Sequence, residues 1–205
     1  MYDKINKKKN KQIMKSIGLF CGSHTGNNPL FSQKAAELGK LIAAENLTLV
    51  YGGSSWGLMG IAASEVMNAN GNVVGIIPNF FSNDVVEHRS ITLHKVKSMA
   101  ERKEMMASMA DAFIAFPGGI GTLDEVTEIM SMNQLGLIAK PIGLLNIDGF
   151  FNPFLKQITL MQSEGLIHEV HSKMLVQADD PKTLLNKLKT LELPNQDEWF
   201  KVIKK

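Results

Sequence analysis

A chain of 205 residues, 44% hydrophobic and 20% charged, is long enough for one α/β domain with a sizeable core and short for two. Its formal net charge of +2 is too small to point to nucleic acid as the main partner, and no apolar run approaches the roughly 20 residues of a membrane span. A single cysteine, Cys21, excludes an internal disulfide and fits a reducing cytoplasm. Lys4, Lys7, Lys8, Lys9, Lys11 and Lys15 crowd the first fifteen residues, where no apolar h-region or small-residue cleavage site marks a secretory signal. Residues 1–15 therefore read as a basic, mobile leader, with weak binding to an anionic surface as the alternative. Residues 16–192 read as the folded domain and 193–205 as a tail.

From residue 17 onward, short apolar runs alternate with amphipathic ones. A strand is expected over 17–21, a helix over 29–44, a strand over 47–51 and a helix over 58–69. A strand over 73–77 is followed by a polar stretch, a helix over 99–109, a strand over 112–116 and a helix that begins near Thr122 and runs to Leu135. A strand over 142–147, a helix over 150–163, a short strand near 174–177 and a helix over 181–191 complete the pattern. Strands alternating with helices indicate βαβ units. The expected fold is α/β, a single Rossmann-like doubly wound parallel sheet with helices on both faces and the ligand at the carboxyl ends of its strands.

Three of those strand ends carry loops of small residues: 21–29, 51–60 and 117–122. In the last, Pro117-Gly-Gly-Ile-Gly-Thr122, the glycines Gly118, Gly119 and Gly121 can take positive φ and lack a Cβ. Backbone N–H groups can then converge on a phosphate at the positive end of the following helix. Thr122 and Glu125 also match a capping box, so Glu125 reads either as a cap or as a carboxylate for chemistry. The 51–60 loop has the wrong spacing for G-x-G-x-x-G, which argues against a dinucleotide. Ser23 and Ser54, at the other two strand ends, are candidates by position, and neither lies in a G-x-S-x-G elbow.

In the helix over 99–109, Ser98 and Glu101 form a second capping-box pattern. Met99, Met106 and Met109 fall on one side, and Arg102 falls among them. Such an arginine either snorkels along the core or presents its fork of donors to a phosphate or carboxylate in the pocket. The five histidines have no partners at metal-ligand spacing and read as solvated, so no metal is expected. Lys40, Lys95, Lys140 and Lys156 show no Schiff-base context, and Cys21 reads as packing rather than as a nucleophile.

Together, GGSSWGLMG over 52–60, MAERKEMM over 99–106 and PGGIGTLDE over 117–125 resemble the Lonely Guy family of cytokinin riboside 5′-monophosphate phosphoribohydrolases, over about residues 17–191. The resemblance implies hydrolysis of the N-glycosidic bond of an adenosine-type or cytokinin riboside 5′-monophosphate to free base and ribose 5-phosphate, without a cofactor. It implies Arg102 and Glu125 as the catalytic pair. Lys103, Gly119, Gly121 and Thr122 match nucleotide-binding positions, Gly53, Met99, Gly118 and Asp124 are further substrate-binding candidates, and Asp84 and Ser131 are further polar contacts. It also implies a cytoplasmic homodimer acting on a small-molecule nucleoside 5′-monophosphate.

This chain departs from the family pattern at Ala100, where many members have histidine, at Trp56, where a small aliphatic residue is usual, and at His24, where serine is common. Those changes bear on the base or ribose pocket. Twelve methionines offer either an apolar wall for a prenyl group or plain core filling. The competing class is a non-catalytic nucleotide- or cofactor-binding sensor or carrier on the same fold. Retention of both Arg102 and Glu125 favours the enzyme, since a pure binder needs the phosphate nest but not the carboxylate.

Overall fold

In a computed structural model, which describes residues 14–84 and 91–192, seven strands form one sheet. They are β1 (Ser16–Phe20), β2 (Thr48–Tyr51), β3 (Val73–Pro78), β4 (Ile91–Val96), β5 (Ala112–Ala115), β6 (Ile142–Leu145) and β7 (Leu175–Ala178). Their spatial order is β4-β3-β2-β1-β5-β6-β7, and every pairing is parallel. The chain therefore winds outward from β1 to β4, crosses back to β5 and winds outward the other way. A reversal of this kind leaves a crevice beyond the carboxyl ends of the two central strands, here β1 and β5. Residues 1–13 of the expected leader, His88 and the whole 193–205 tail lie outside the described residues.

The helices are α1 (Pro29–Ala44), α2 (Gly57–Asn68), α3 (Met99–Met109), α4 (Ile120–Gln134), α5 (Asn152–Ser163), α6 (Glu169–Ser172) and α7 (Pro181–Thr190). They cover both faces of the sheet. Leu38, Ile42, Leu58, Val66 and Leu185 of α1, α2 and α7 pack with Ile17, Leu19 and Leu49. Met106, Val126 and Ile129 of α3 and α4, with Phe154 and Leu155 of α5, pack with Phe20, Val50 and Phe113 on the other side. Period-two alternation explains the split, because Ile17 and Leu19 of β1 point one way and Phe20 the other. Gly18 leaves room for the Phe113 ring, which a Cβ there would overlap, and that ring stacks on Phe20 with centroids 5.1 Å apart. Each large side chain buried this way stabilises the fold by about 1.5–3 kcal/mol.

The two central strands are tied at their entrances. The Asp111 carboxylate accepts hydrogen bonds from the Lys15 and Ser16 amides and the Ser16 hydroxyl, at 2.8, 3.0 and 3.0 Å. That fixes β1 against the start of β5 and so sets the height of the loops that leave their far ends.

Several elements differ from expectation. Residues 91–96, read as part of a polar stretch, form the edge strand β4, with Ile91 and Leu93 half-buried and Thr92 and Lys95 exposed. Alternation of that kind is what a one-sided edge strand requires. Helix α4 begins at Ile120, capped by Gly119, rather than at Thr122. The helix expected from residue 150 begins at Asn152, after a 3-10 turn at Ile147–Gly149 in which Asp148 and Gly149 take positive φ of 50° and 73°. Asp148 is held there by the Asn28 side-chain amide, which donates to its carboxylate at 2.7 Å. Helix α6 is an additional short element. His171 within it is half-buried rather than solvated, and burial pulls its imidazole below its ordinary pKa, with His168 adding to the effect.

Candidate active site

Gly22 stitches three strand-end loops together. Its amide donates to the Pro117 carbonyl at 3.2 Å, and its carbonyl accepts from the Leu58 amide at 3.3 Å. Gly57, at φ +61°, abuts the Ser23 carbonyl so closely that any Cβ would overlap it. The loops after β1, β2 and β5 thereby close on one another at the carboxyl edge of the sheet. They frame two adjoining cavities, one of about 630 Å³ and one of about 290 Å³. Ser23, His24 and Thr25 line both.

Arg102 lines the larger cavity, where Ser23, His24, Thr25 and Ser54 are the other polar side chains. Ser98 starts α3 by accepting the Glu101 amide at 3.1 Å, and the Glu101 carboxylate reaches back to the Lys97 amide at 2.7 Å. From that capped first turn Arg102 points inward, only 8% exposed. Its Nε donates to the Ile76 carbonyl at 3.1 Å and its Nη1 to Glu125 Oε1 at 2.8 Å. Its Nη2 fills the space where a Cβ of residue 52 would stand, so Gly52 is required. An inward arginine hydrogen-bonded to two elements and packed against Gly52 is a fixed charge and not a snorkelling one.

Glu125 is equally buried. Burial lifts its carboxyl above the ordinary value, Arg102 pulls it back in part, and the net direction is up. A buried carboxyl paired with a guanidinium is suited to stabilise developing positive charge when ionised and to take a proton. Cys21 lies in the same field. Burial pushes its thiol well up and Glu125 adds to that, so it remains a thiol that packs.

The smaller cavity runs past Pro117, Gly118 and Gly119 to the start of α4. Gly119 caps that helix without a side-chain bond, which leaves the first amides of α4 facing outward as anion donors. Nothing lies within 4 Å of where a Cβ on Gly119 or Gly121 would stand. The loop thus presents bare backbone to open space.

The chain matches, over residues 59–188, the family described as "Possible lysine decarboxylase". It is 42% identical over 173 residues, 84% of this chain and 76% of the other, to a "Probable cytokinin riboside 5′-monophosphate phosphoribohydrolase" of Oryza sativa subsp. japonica. It is 39% identical over 189 residues, 92% of this chain and 87% of the other, to a cytokinin riboside 5′-monophosphate phosphoribohydrolase of Arabidopsis thaliana. The chain belongs to the Lonely Guy phosphoribohydrolase family. The molybdenum cofactor binding protein of Rippkaea orientalis shares the fold, with a TM-score of 0.64 and 25% identity over 87% of this chain and 98% of that one. The decarboxylase wording in the family description does not suit the site. Pyridoxal chemistry needs a lysine at the cavity, and neither cavity is lined by one among the described residues.

The other positions expected for a Lonely Guy protein fall into three groups. Ser23, Ser54 and Met99 line the larger cavity, and Gly118 and Gly119 the smaller. Ser54 Oγ accepts the Trp56 amide at 3.1 Å, and Gly53, at φ +79°, turns the chain beside it. A second group supports the site from beneath or beside it. Thr122 is buried under Gly118, whose missing Cβ leaves room for the threonine hydroxyl. Lys103 donates to Asp124 at 3.0 Å and pairs with Glu128 at 3.2 Å. Ser131 is exposed more than two turns beyond the start of α4 and lines neither cavity. Asp84 ends the 3-10 turn Asn79–Asp84, and its side chain lies outside what the structure describes.

Two corrections concern conformation. Gly118, Gly119 and Gly121 all avoid positive φ, so this loop needs glycine for lack of a Cβ. The Thr122–Glu125 capping box does not form, because Gly119 is the cap and Glu125 bonds Arg102. Met99 and Met109 are exposed while Met106 is buried, so the methionine side of α3 is core only at its middle. Of the larger cavity's lining, sequence pointed to Trp56 through its departure from the family pattern, whereas Gly52 and the wall residues Met59, Ile77 and Phe81 carried no such mark. The exposed Phe80–Phe81 pair was the available signal for that wall.

Proposed function

We propose that this chain hydrolyses the N-glycosidic bond of an adenosine-type or cytokinin riboside 5′-monophosphate, releasing free base and ribose 5-phosphate. The observation that carries the reading is the buried Arg102–Glu125 pair beside two joined cavities, one of which ends on the bare start of α4. Breaking C1′–N9 sends the bonding electrons to the purine and leaves positive charge on the ribose. Glu125 stabilises that charge and orients the water whose oxygen bonds to C1′. The proton the water loses passes to Glu125 and from it to N9 of the departing base, so that Glu125 ends the cycle ionised again. Arg102 keeps Glu125 ionised and fixed, while the α4 amides and helix dipole hold the 5′-phosphate. The names of the rice and Arabidopsis relatives support the same reaction. The reading includes a homodimer working in the cytoplasm, with neither nucleic acid nor membrane as partner. Among the described residues no helix is long and apolar enough to cross a membrane.

The test is chromatographic measurement of free base after incubation with AMP and, separately, N6-isopentenyladenosine 5′-monophosphate, beside Glu125→Gln. Base release that drops on the order of a hundredfold or more in the variant is expected. Binding of either nucleotide without release would replace the enzyme with a carrier.

A further inference from the structure

We propose that Trp56 sets the base selectivity of this chain, by packing against an apolar substituent on the exocyclic N6 of the purine. The inference rests on the phosphoribohydrolase reading for the orientation of the nucleotide.

Trp56 occupies the N-cap of α2 and makes no side-chain cap bond there, although serine, threonine, asparagine or aspartate at such a position would satisfy an orphan amide. Its side chain is 63% exposed. Local structure therefore gains nothing from a tryptophan at this position, and folding gains little. The backbone beneath it is nevertheless held firmly, by the Ser54 hydroxyl on its amide and by Gly57 against the Ser23 carbonyl. A large ring on a fixed stem is pre-organised for a ligand.

Two other large apolar side chains reach the same opening from separate segments. Phe81, 51% exposed, comes from the turn after β3, and Met99, 42% exposed, from the first residue of α3. Met59, Ile77 and Pro78 complete the wall. Singly exposed apolar residues need no explanation, but three converging on one cavity mark a binding surface.

The cavity carries polar side chains at Arg102, Ser23, His24, Thr25 and Ser54 and apolar ones along the Trp56 wall. With ribose beside Arg102 and Glu125, the far edge of the purine lies toward the apolar wall. An unsubstituted N6 amino group would give up water there without gaining a partner, a direct cost. An N6-alkyl group removes one of those N–H bonds and buries its carbons against Trp56. Selectivity thus has a repulsive part against AMP and an attractive part for the alkylated nucleotide.

The experiment compares kcat/KM for AMP and N6-isopentenyladenosine 5′-monophosphate in wild type, Trp56→Ala and Trp56→Phe, with calorimetric binding of both nucleotides to wild type and Trp56→Ala. Wild type is expected to favour the prenylated nucleotide by about tenfold or more. Trp56→Ala should lower that ratio by about tenfold and Trp56→Phe should keep most of it. A ratio that stays put while both substrates fall together would assign Trp56 to stacking on the base or to loop structure, and would overturn the proposal. If wild type releases base from neither nucleotide, hydrolysis fails and calorimetry still decides. Tighter binding of the prenylated nucleotide, lost in Trp56→Ala, keeps the apolar wall, and equal or absent binding discards it.

Discussion

A methyl group added at Gly118 would overlap the Thr122 hydroxyl and stand 2.9 Å from the Gly22 amide, whereas one added at Gly119 meets nothing within 4 Å. The two adjacent glycines should therefore respond differently to alanine. Gly118→Ala is expected to destabilise the fold by about 1–3 kcal/mol through overpacking, read as a lower Tm. Gly119→Ala should leave Tm within error and raise KM, since its methyl enters the space before the α4 amides. An unchanged KM would mean that the phosphate is bound elsewhere. Glu125 supplies a second prediction. Its carboxyl is lifted above the ordinary 4.5 by burial, with Arg102 opposing. If it works ionised, kcat/KM falls as pH drops through a pKa above 4.5. Removing the opposing charge moves that pKa further up, so Arg102→Met should shift the acid limb to higher pH while lowering the plateau. A wild-type limb at or below the ordinary glutamate value would remove Glu125 from the reaction.

Helices α3 and α4 are joined by adjacent charges. Arg102 pairs with Glu125, and Lys103 bridges Asp124 and Glu128. Burial draws the Lys103 ammonium down, but its bonds to the two carboxylates outweigh that and leave it raised. Lys140 finishes the other end of α3, donating to the Ala107 and Ser108 carbonyls at 2.6 and 3.2 Å. Lys103 thus ties α3 to α4 beside the Arg102–Glu125 pair. Because Asp124 and Glu128 are largely solvated, Lys103→Met should cost only about 0–1 kcal/mol of stability. As the α3–α4 register relaxes, kcat should fall several-fold with little change in KM, and Lys103→Arg should restore it. A rise in KM at constant kcat would instead place Lys103 on the nucleotide. Local signals in these elements were legible in part: Ser98 and Glu101 marked the start of α3, where the Glu101 amide donates to Ser98 and its carboxylate reaches back to Lys97. The start of α4 was not, because Thr122 and Glu125 satisfy the capping pattern on paper while Glu125 is drawn to an arginine 23 residues away in sequence.

At the scale of the molecule, alternation of strand and helix made the doubly wound sheet legible, and the motifs marked Arg102 and Glu125 as the expected catalytic pair. What remained hidden depends on convergence. Strand β4 was missed because its alternation is short and breaks at Lys95 and Val96, the buried Val96 standing out of phase with Ile91 and Leu93, and most of the cavity wall was missed because it draws on segments that only the strand order brings together. The same strand order leaves apolar side chains without cover outside the cavities. Ile120 at the start of α4 and Leu135 and Leu137 just after its end are 82%, 59% and 67% exposed, an arrangement that a second copy of the chain would cover. Light scattering at micromolar concentration is expected to give about 45 kDa, twice the 22.6 kDa of one chain. An isologous interface meets each substitution twice, so Leu137→Asp would set two like charges into one apolar contact and shift the protein toward monomer. A wild-type monomer, or a dimer indifferent to Leu137→Asp and to the equivalent change at Leu135, would move the interface away from this end of α4.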